Sequence, residues 1–408
     1  MSIDLSPTTA AHPSALPLFE PEHDELRATC RRFVEQEILP HVEAWEQAED
    51  FPRELFATAG DAGLLGLNVD ERFGGSGPDP LAQAVWIEEL ARAGSGGVAA
   101  DLGAHNDLAM LYVRRGGSEA LKERYLPGSV AGRLVGGLAI TEPGTGSDVA
   151  ALTTRARRDG DGWVLNGSKA FITNGSWCDF AVVAVKVSPE DGAPSEDPHG
   201  QITLFVVDAD TPGFSRSRMQ MLGWRTSHTG ELVFEDVRVP DEQRLGGIGE
   251  GFAQITANFA WERLAMSLGA VSAAEGALDV AIAYAREREA FGRPIAGFQV
   301  WRHRFADLAT RIATGRALAH RALRLVVSAQ RHPDAVSPTR VLRTVAMAKL
   351  HTQRLAFDVA DECVQVHGGA GYMMEYPAQR LWRDARLGPI GGGTDEIMRE
   401  IVSKLPAD

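Results

Sequence analysis

Positive charge is scarce in this sequence and missing from its first 26 residues, which also hold no long apolar run. That combination excludes a secretory signal and fits poorly with an Arg-rich organellar presequence, so a cytoplasmic location is expected. No stretch approaches the ~20 uninterrupted apolar residues of a membrane span. Across the chain 41 Lys and Arg stand against 55 Asp and Glu, a formal net charge of −14. Phosphate would be repelled overall, which argues against nucleic-acid binding. Cysteine is rare as well. Cys30, Cys178 and Cys363 are scattered and form no CxxC, which points to free thiols. There is no GxSxG nucleophile elbow, no HExxH, and no histidine spacing that suits a metal.

What is present is a globular composition, 44% hydrophobic and 24% charged over 408 residues, enough for two or three structural units. Residues 1–20 are rich in Ser, Pro, Thr and Ala and read as a loose arm. Over 21–134, apolar residues recur every three or four positions, as in "ELRATCRRFVEQEILPHVEAWEQ", and glycine breaks such as "FGGSGPDP" separate the predicted helices. Over 135–245 the runs become short and β-branched: "GWVLNGSKAFITNG", "FAVVAVKV", "ITLFVVDAD", "GELVFEDVRVP". They predict an antiparallel barrel or sandwich. Over 246–408 the helical period returns, in segments near 250–289, 298–331, 338–367 and 394–404, and predicts an antiparallel four-helix bundle. The fold class is α+β multidomain, in the order helical, β, helical.

One side chain stands out. In "GFAQITANFAWERLAMSLGA", Ile255, Phe259 and Met266 share a stripe, and Glu262 falls within it. A carboxylate on a buried face must find a partner or hold a proton. Two readings stand open: a structural ion pair with Arg263 or another cation, or a desolvated general base with a raised pKa. His367, before Gly368-Gly369, reads as a helix-end residue, and Trp382-Arg383-Asp384 as a packing and ion-pair cluster.

Three glycine-bearing clusters, "TEPGTGSD", "REAFGRPI" and "QVHGGAGY", are each compatible with an ordinary turn or helix cap. Taken in order with "FITNG", "ELVFEDVRVP", "FQVWRHRFADL", "YMMEYPAQRLWRDAR" and "GGGTDEI", they resemble the acyl-CoA dehydrogenase family of FAD-dependent flavoenzymes over about residues 20–405. The resemblance implies FAD as cofactor, a homotetramer with a dimer as the alternative, oxidation of an acyl-CoA to its trans-2-enoyl-CoA, and an electron-transfer flavoprotein as acceptor. It implies Ile140, Thr141, Phe171 and Thr173 around the isoalloxazine, with Phe171 standing where many members have Trp. Gly146 and Ser147 would lie near the CoA chain and the FAD pyrophosphate. Arg288, Phe291 and Gln299 would reach a neighbouring subunit's FAD, with Gln365 and Gly369 on its pyrophosphate and Thr394 and Glu396 at the adenosine end.

The departure from the family pattern lies in "PIGGGTDEI". Most members carry Tyr-Glu-Gly-Thr in this loop, and that Glu removes the substrate's α-proton; here Gly391-Gly392-Gly393-Thr394 stand instead. The isovaleryl-CoA and long-chain members place the base on a helix, in a Glu-Arg-Leu sequence, which Glu262-Arg263-Leu264 matches. The resemblance therefore implies Glu262 as base and the backbone N–H of Gly392 as a donor to the thioester oxygen, with Arg263, Gly391 and Gly392 beside the substrate. An acyl-CoA oxidase using O2 and a catalytically silent acyl-CoA-binding homologue are the alternatives. Neither chain length nor branching of the acyl group follows from the sequence.

Overall fold

The computed structural model of the chain describes residues 18–406; the arm expected over residues 1–20 lies, apart from its last three residues, outside them. Seven helices come first: α1 (Pro21–Phe33), α2 (Val42–Ala48), α3 (Glu54–Asp61), α4 (Pro80–Leu90), α5 (Gly96–Ala104), α6 (Met110–Gly116) and α7 (Glu119–Val130). Eight strands follow: β1 (Gly136–Ala139), β2 (Arg155–Asp159), β3 (Gly162–Ile172), β4 (Phe180–Val187), β5 (Ile202–Asp208), β6 (Phe214–Arg218), β7 (Gly230–Pro240) and β8 (Arg244–Leu245). The chain then forms α8 (Gly251–Glu287), a hairpin of β9 (Glu289–Ala290) and β10 (Arg293–Pro294), α9 (Gln299–Arg331), α10 (Pro338–His367), α11 (Pro377–Ala385) and α12 (Asp395–Lys404). Contacts divide it into two compact units: residues up to 42 with 84–96 and 263–408, and residues 43–83 with 97–262.

The second unit holds the sheet, in the order β6-β7-β3-β2-β4-β5-β8, with β1 beside β4. Both β1 and β2 run parallel to β4, while the other neighbours are antiparallel. The expectation of a purely antiparallel sheet is corrected in that detail. Hairpin reasoning pairs strands that are neighbours in sequence, whereas a parallel pair needs a long connection; some forty residues separate β1 from β4. Strands β4 and β5 are buried on both faces. Phe180, Val182, Ala184, Leu204 and Val206 join a core with Met110, Tyr125 and Ile255. Ala181, Val183, Val185, Phe205 and Val207 join another with Trp163, Leu165 and Phe234. This is why "FAVVAVKV" and "ITLFVVD" read as unbroken apolar runs.

In the first unit α10 packs against α9, α11 and α12, and Gln353 on α10 donates to the carbonyl of Met266 on α8 at 2.7 Å. By length and composition α8 could cross a membrane, but half of its most apolar window is buried within the protein, as suits a bundle helix. Two consecutive carboxylates on α4 tie the helices together. Glu88 is buried and meets Arg27 at 2.7 Å, Arg316 at 2.9 Å and His320 at 2.8 Å. Glu89, also buried, takes Arg27 and Arg31. All three cysteines are free and buried.

Burial acts to raise the Glu88 pKa, but the bond from His320 and the charges of Arg316, His320 and Arg27 outweigh it and hold the carboxyl at about 2. Its folded value lies below its unfolded one, so its stabilisation is present above the ordinary carboxylate range and is lost as pH falls toward 2. Glu88→Gln should lower the free energy of unfolding by about 3 kcal/mol at pH 7. The gap from the parent protein should narrow from about pH 4.5 and close near pH 2, as read by urea unfolding across that range.

Candidate active site

The glycine loop between α11 and α12 is held from beneath by cations. Lys349 on α10 is fully buried, and its Nζ donates to the carbonyls of Gly388 at 2.9 Å and Gly393 at 2.6 Å. Arg263 on α8, also buried, donates from Nε to the carbonyl of Gly392 at 3.2 Å. Within the loop, Gly391 N–H donates to Leu387 O at 2.9 Å and Asp395 N–H to Pro389 O at 3.0 Å. Thr394 Oγ1 accepts from Ile397 N–H and caps α12, and buried Asp395 pairs with Arg354. Among the described residues the N–H of Gly392 meets no acceptor.

The three glycines differ in what the fold demands of them. Gly392 and Gly393 have φ of 62° and 95°, where a side chain is strained. A Cβ on Gly393 would also lie 2.9 Å from Met398 Cε. Gly391 has neither constraint: its Cβ would rest at ordinary distances, 3.8 Å from Leu387 Cγ and 3.9 Å from Met266 Cε.

On α8, Ile255 is buried, but Phe259, Glu262 and Met266 are only half-buried. The expectation of a carboxylate on a sealed face is corrected here. Helical spacing identifies a common face; it does not tell whether that face meets a packed core or open space. Arg263 points about 100° away from Glu262 around the helix, with its Nε engaged by Gly392.

The residues expected around the flavin ring come together in the second unit. Ala170 N–H donates to Thr141 O at 2.9 Å, and Lys169 Nζ donates to Ile140 O at 2.9 Å, so Ile140 and Thr141 lie alongside Phe171 and Thr173. Phe171 is 61% exposed at φ 61°, an uncommon backbone for an aromatic residue that projects its ring outward. Beneath it, Lys169 pairs with Glu142 at 2.9 Å, both buried. Glu142 also accepts from the N–H and hydroxyl groups of Thr153 and Thr154, which pins the turn carrying Gly146 and Ser147. Burial works against the Glu142 charge, yet Lys169 and the threonines bring its pKa to about 2; burial pulls Lys169 down to about 8 against the pull of Glu142. Gly146 and Ser147 themselves are exposed. An outward aromatic wall, small neighbours and a turn with an accessible backbone suit a planar ring with a phosphate tail, so these residues fit FAD.

Arg288, Phe291, Gln299, Gln365, Gly369 and Glu396 are exposed. Arg288 and Phe291 flank β9, Gln299 opens α9, and Gln365 and Gly369 stand at the end of α10. Phe291, at the tip of the hairpin, is 97% exposed with φ 52°. His367 behaves as a helix-end residue, its Nδ1 at 2.7 Å from Cys363 O and its ring stacked on Tyr284. Trp382 donates to Asp361 and Asp384 accepts from Gly96 N–H, the packing cluster expected there.

Sequence reasoning missed Lys349, Lys169 and Glu142. The signal for Lys349 was available, since Val345, Lys349, Thr352, Ala356, Val359 and Cys363 repeat at helical spacing and are all buried. Replacing it tests its role in the loop. Lys349→Met should leave the carbonyls of Gly388 and Gly393 without their donor and cost about 2–5 kcal/mol, seen as a lower chemical-denaturation midpoint.

Known proteins resemble this chain along nearly its whole length. Three family models cover nearly the whole chain: the acyl-CoA dehydrogenase N-terminal domain over residues 20–133, the middle domain over 137–237 and the C-terminal domain over 249–405. The mitochondrial long-chain specific acyl-CoA dehydrogenase of Sus scrofa is 39% identical over 95% of this chain and 87% of its own length. The mitochondrial isovaleryl-CoA dehydrogenase of Oryza sativa subsp. japonica is 36% identical over 95% and 91%. The crystal structure of acyl-CoA dehydrogenase from Geobacillus kaustophilus superposes with a TM-score of 0.87 at 38% identity, over 95% of this chain and 98% of that one. The chain belongs to the acyl-CoA dehydrogenase family, FAD-dependent oxidoreductases that act on CH–CH groups.

Proposed function

We propose that this enzyme converts an acyl-CoA to the trans-2-enoyl-CoA with Glu262 as the base and Gly392 N–H as a donor to the thioester oxygen. The observation that carries this reading is the pairing of absence and presence: residues 390–393 offer no side chain able to take a proton, while Glu262 stands half-buried on α8. The α-hydrogen of a thioester is weakly acidic, so the developing enolate needs a fixed donor at its oxygen. Gly392 offers one, since its N–H meets no acceptor among the described residues and the carbonyls of residues 392 and 393 that follow it are held by Arg263 and Lys349. A Glu262 oxygen takes the proton from Cα. FAD bound against Ile140, Thr141, Phe171 and Thr173 would supply the acceptor for the hydride lost from Cβ, with an electron-transfer flavoprotein as the onward acceptor.

Ile140, Thr141, Phe171 and Thr173 would hold the ring of that cofactor, with Gly146 and Ser147 near its pyrophosphate and the CoA chain. Arg288, Phe291 and Gln299 would reach the FAD of a neighbouring subunit, met there by Gln365 and Gly369, with Thr394 and Glu396 at the adenosine end. The full exposure of Phe291 supports a homotetramer in which another copy covers the hairpin. The domains would run 21–134, 135–245 and 246–408, in a cytoplasmic enzyme. Arg263 and Gly391 would border the substrate, and the smallness of Gly391, which packing does not demand, supports an acyl chain that is bulky near Cα–Cβ.

Glu262→Gln should retain FAD and bind acyl-CoA, yet reduce the flavin about 10²–10⁴-fold more slowly in anaerobic stopped flow; near-normal reduction would remove Glu262 from the role. Gly391→Ala should leave the unfolding midpoint nearly unchanged. It should lower kcat/KM for branched acyl-CoAs more than for straight ones by roughly 10-fold, the range one methyl group decides in a pocket.

A further inference from the structure

Near Glu262, a buried polar cluster takes no part in the chemistry described above. Trp261, the preceding residue, is buried, and its indole N–H donates to Asp107 Oδ1 at 2.7 Å. Gln83 Nε2 reaches the other oxygen at 3.3 Å. One turn earlier on the same face of α8, Asn258 Oδ1 accepts from Arg115 Nη1 at 2.6 Å. The catalytic turn of α8 is thus tethered at two points, by groups at and just beyond the junction of α5 and α6.

That junction is a π-type turn. Residues 105–109 form it, with Met110 N–H bonded to His105 O five residues back. The extra residue advances the chain by about 100° of helix rotation, a change of face that regular helix would not give Asp107. The turn is pinned by His105, whose Nε2 donates to Ser129 O at 3.0 Å and whose Nδ1 accepts from Gly136 N–H at 3.1 Å. Burial pulls the His105 pKa down to about 4, which keeps the ring neutral with the one donor and one acceptor those bonds require.

We infer that Asp107 is a positioning residue for Glu262, acting through the indole of Trp261. The inference rests on the reading of Glu262 as the base. Trp261 can donate only one hydrogen bond, so its azimuth is set by where Asp107 stands. Glu262 follows about 100° further around a rigid helix and inherits that setting through the backbone. The cavity beside Asp107, bordered by Asn68, Asn106 and Arg114, measures ≈ 10 Å³, room for one water at most. An acyl-CoA segment does not fit in a space of that size, which separates Asp107 from direct catalysis. The carboxyl is also costly to keep: burial pushes it up to about 7, against the bonds from Trp261 and Gln83.

The test uses FAD-loaded enzyme and four variants: Asp107→Asn, Asp107→Leu, Trp261→Phe, and Asp107→Leu combined with Trp261→Phe. FAD content, thermal midpoint and anaerobic flavin reduction over a range of acyl-CoA concentrations are measured for each. Asp107→Leu and Trp261→Phe should each slow the limiting reduction rate by about 10–100-fold, the scale of a small misplacement of a catalytic group. Half-saturation should stay within about 3-fold, and the double variant should be no slower than the worse single one. Asp107→Asn keeps an acceptor and should restore the rate to within about 3-fold of the parent enzyme. Unchanged rates in both single variants, losses confined to FAD content or half-saturation, or multiplicative losses in the double variant would overturn the inference. Should Asp107→Leu fail to fold, Trp261→Phe against Asp107→Asn decides it alone, a slow Phe variant beside a fast Asn variant upholding it and any other pattern rejecting it. Glu262→Gln run alongside keeps the two claims apart. If it reduces flavin normally, the base assignment fails; if it does not while Trp261→Phe does, only the positioning role fails.

Discussion

A lysine ammonium removed from water has three donors to satisfy and a charge to compensate, at a cost of several kcal/mol if either is left undone. Among the described residues two such lysines are completely buried, Lys349 and Lys169, and each anchors a glycine-bearing turn through its backbone or a carboxylate. Lys349 collects one carbonyl from before the glycine triplet, at Gly388, and one from its last member, Gly393. Lys169 collects Ile140 O and the Glu142 carboxylate, and Glu142 in turn fixes Thr153 and Thr154. Glycine-rich loops ordinarily have few side chains with which to pack. Here their geometry comes from the charge below rather than from contacts above.

That arrangement explains how Pro389–Thr394 can be empty and still be ordered. Gly392 and Gly393 adopt positive φ, a backbone that glycine reaches without strain. Arg263 and Lys349 take the carbonyls of both residues. With those oxygens committed, peptide planarity fixes the N–H groups of residues 393 and 394, and Gly392 N–H is held between that pair and Gly391, whose own N–H is bonded to Leu387 O. A backbone donor held this way needs no side chain of its own, so the loop can lose a carboxylate and keep a hydrogen-bond function.

The helical boundaries, the β-rich middle and the stripe carrying Glu262 were legible because each leaves a periodic trace in one sequence. The parallel pairing of β1 and β2 with β4 was not, since it depends on partners that no hairpin connects. Lys349 was legible in principle by the rule that singled out Glu262, a charge on an apolar helical stripe. It escaped notice because a lysine is so often assumed to snorkel out to water. Glu88 and Glu89 look like surface acids in "WIEEL", and only the arrival of Arg27, Arg31, Arg316 and His320 from distant segments explains their burial. Asp107 belongs to the same class, its partner Trp261 lying 154 residues away. Where a buried charge is met by partners from distant segments, as for Glu88, Glu89 and Asp107, a single sequence carries no record of the pairing.

The two groups proposed for proton removal are therefore positioned by different means. A helix transmits position along a rigid frame, so a side chain on it can be set by anchoring its neighbour, as Trp261 and Asn258 do for the turn that bears Glu262. A loop has no such frame, and each peptide in it must be anchored separately, as the cations do for residues 388, 392 and 393. A carboxylate carried by the loop would add a flexible side chain to a backbone that already needs several anchors. Moving it to α8 divides the demand: the loop has to orient only a backbone N–H, and the helix has to orient only an acid.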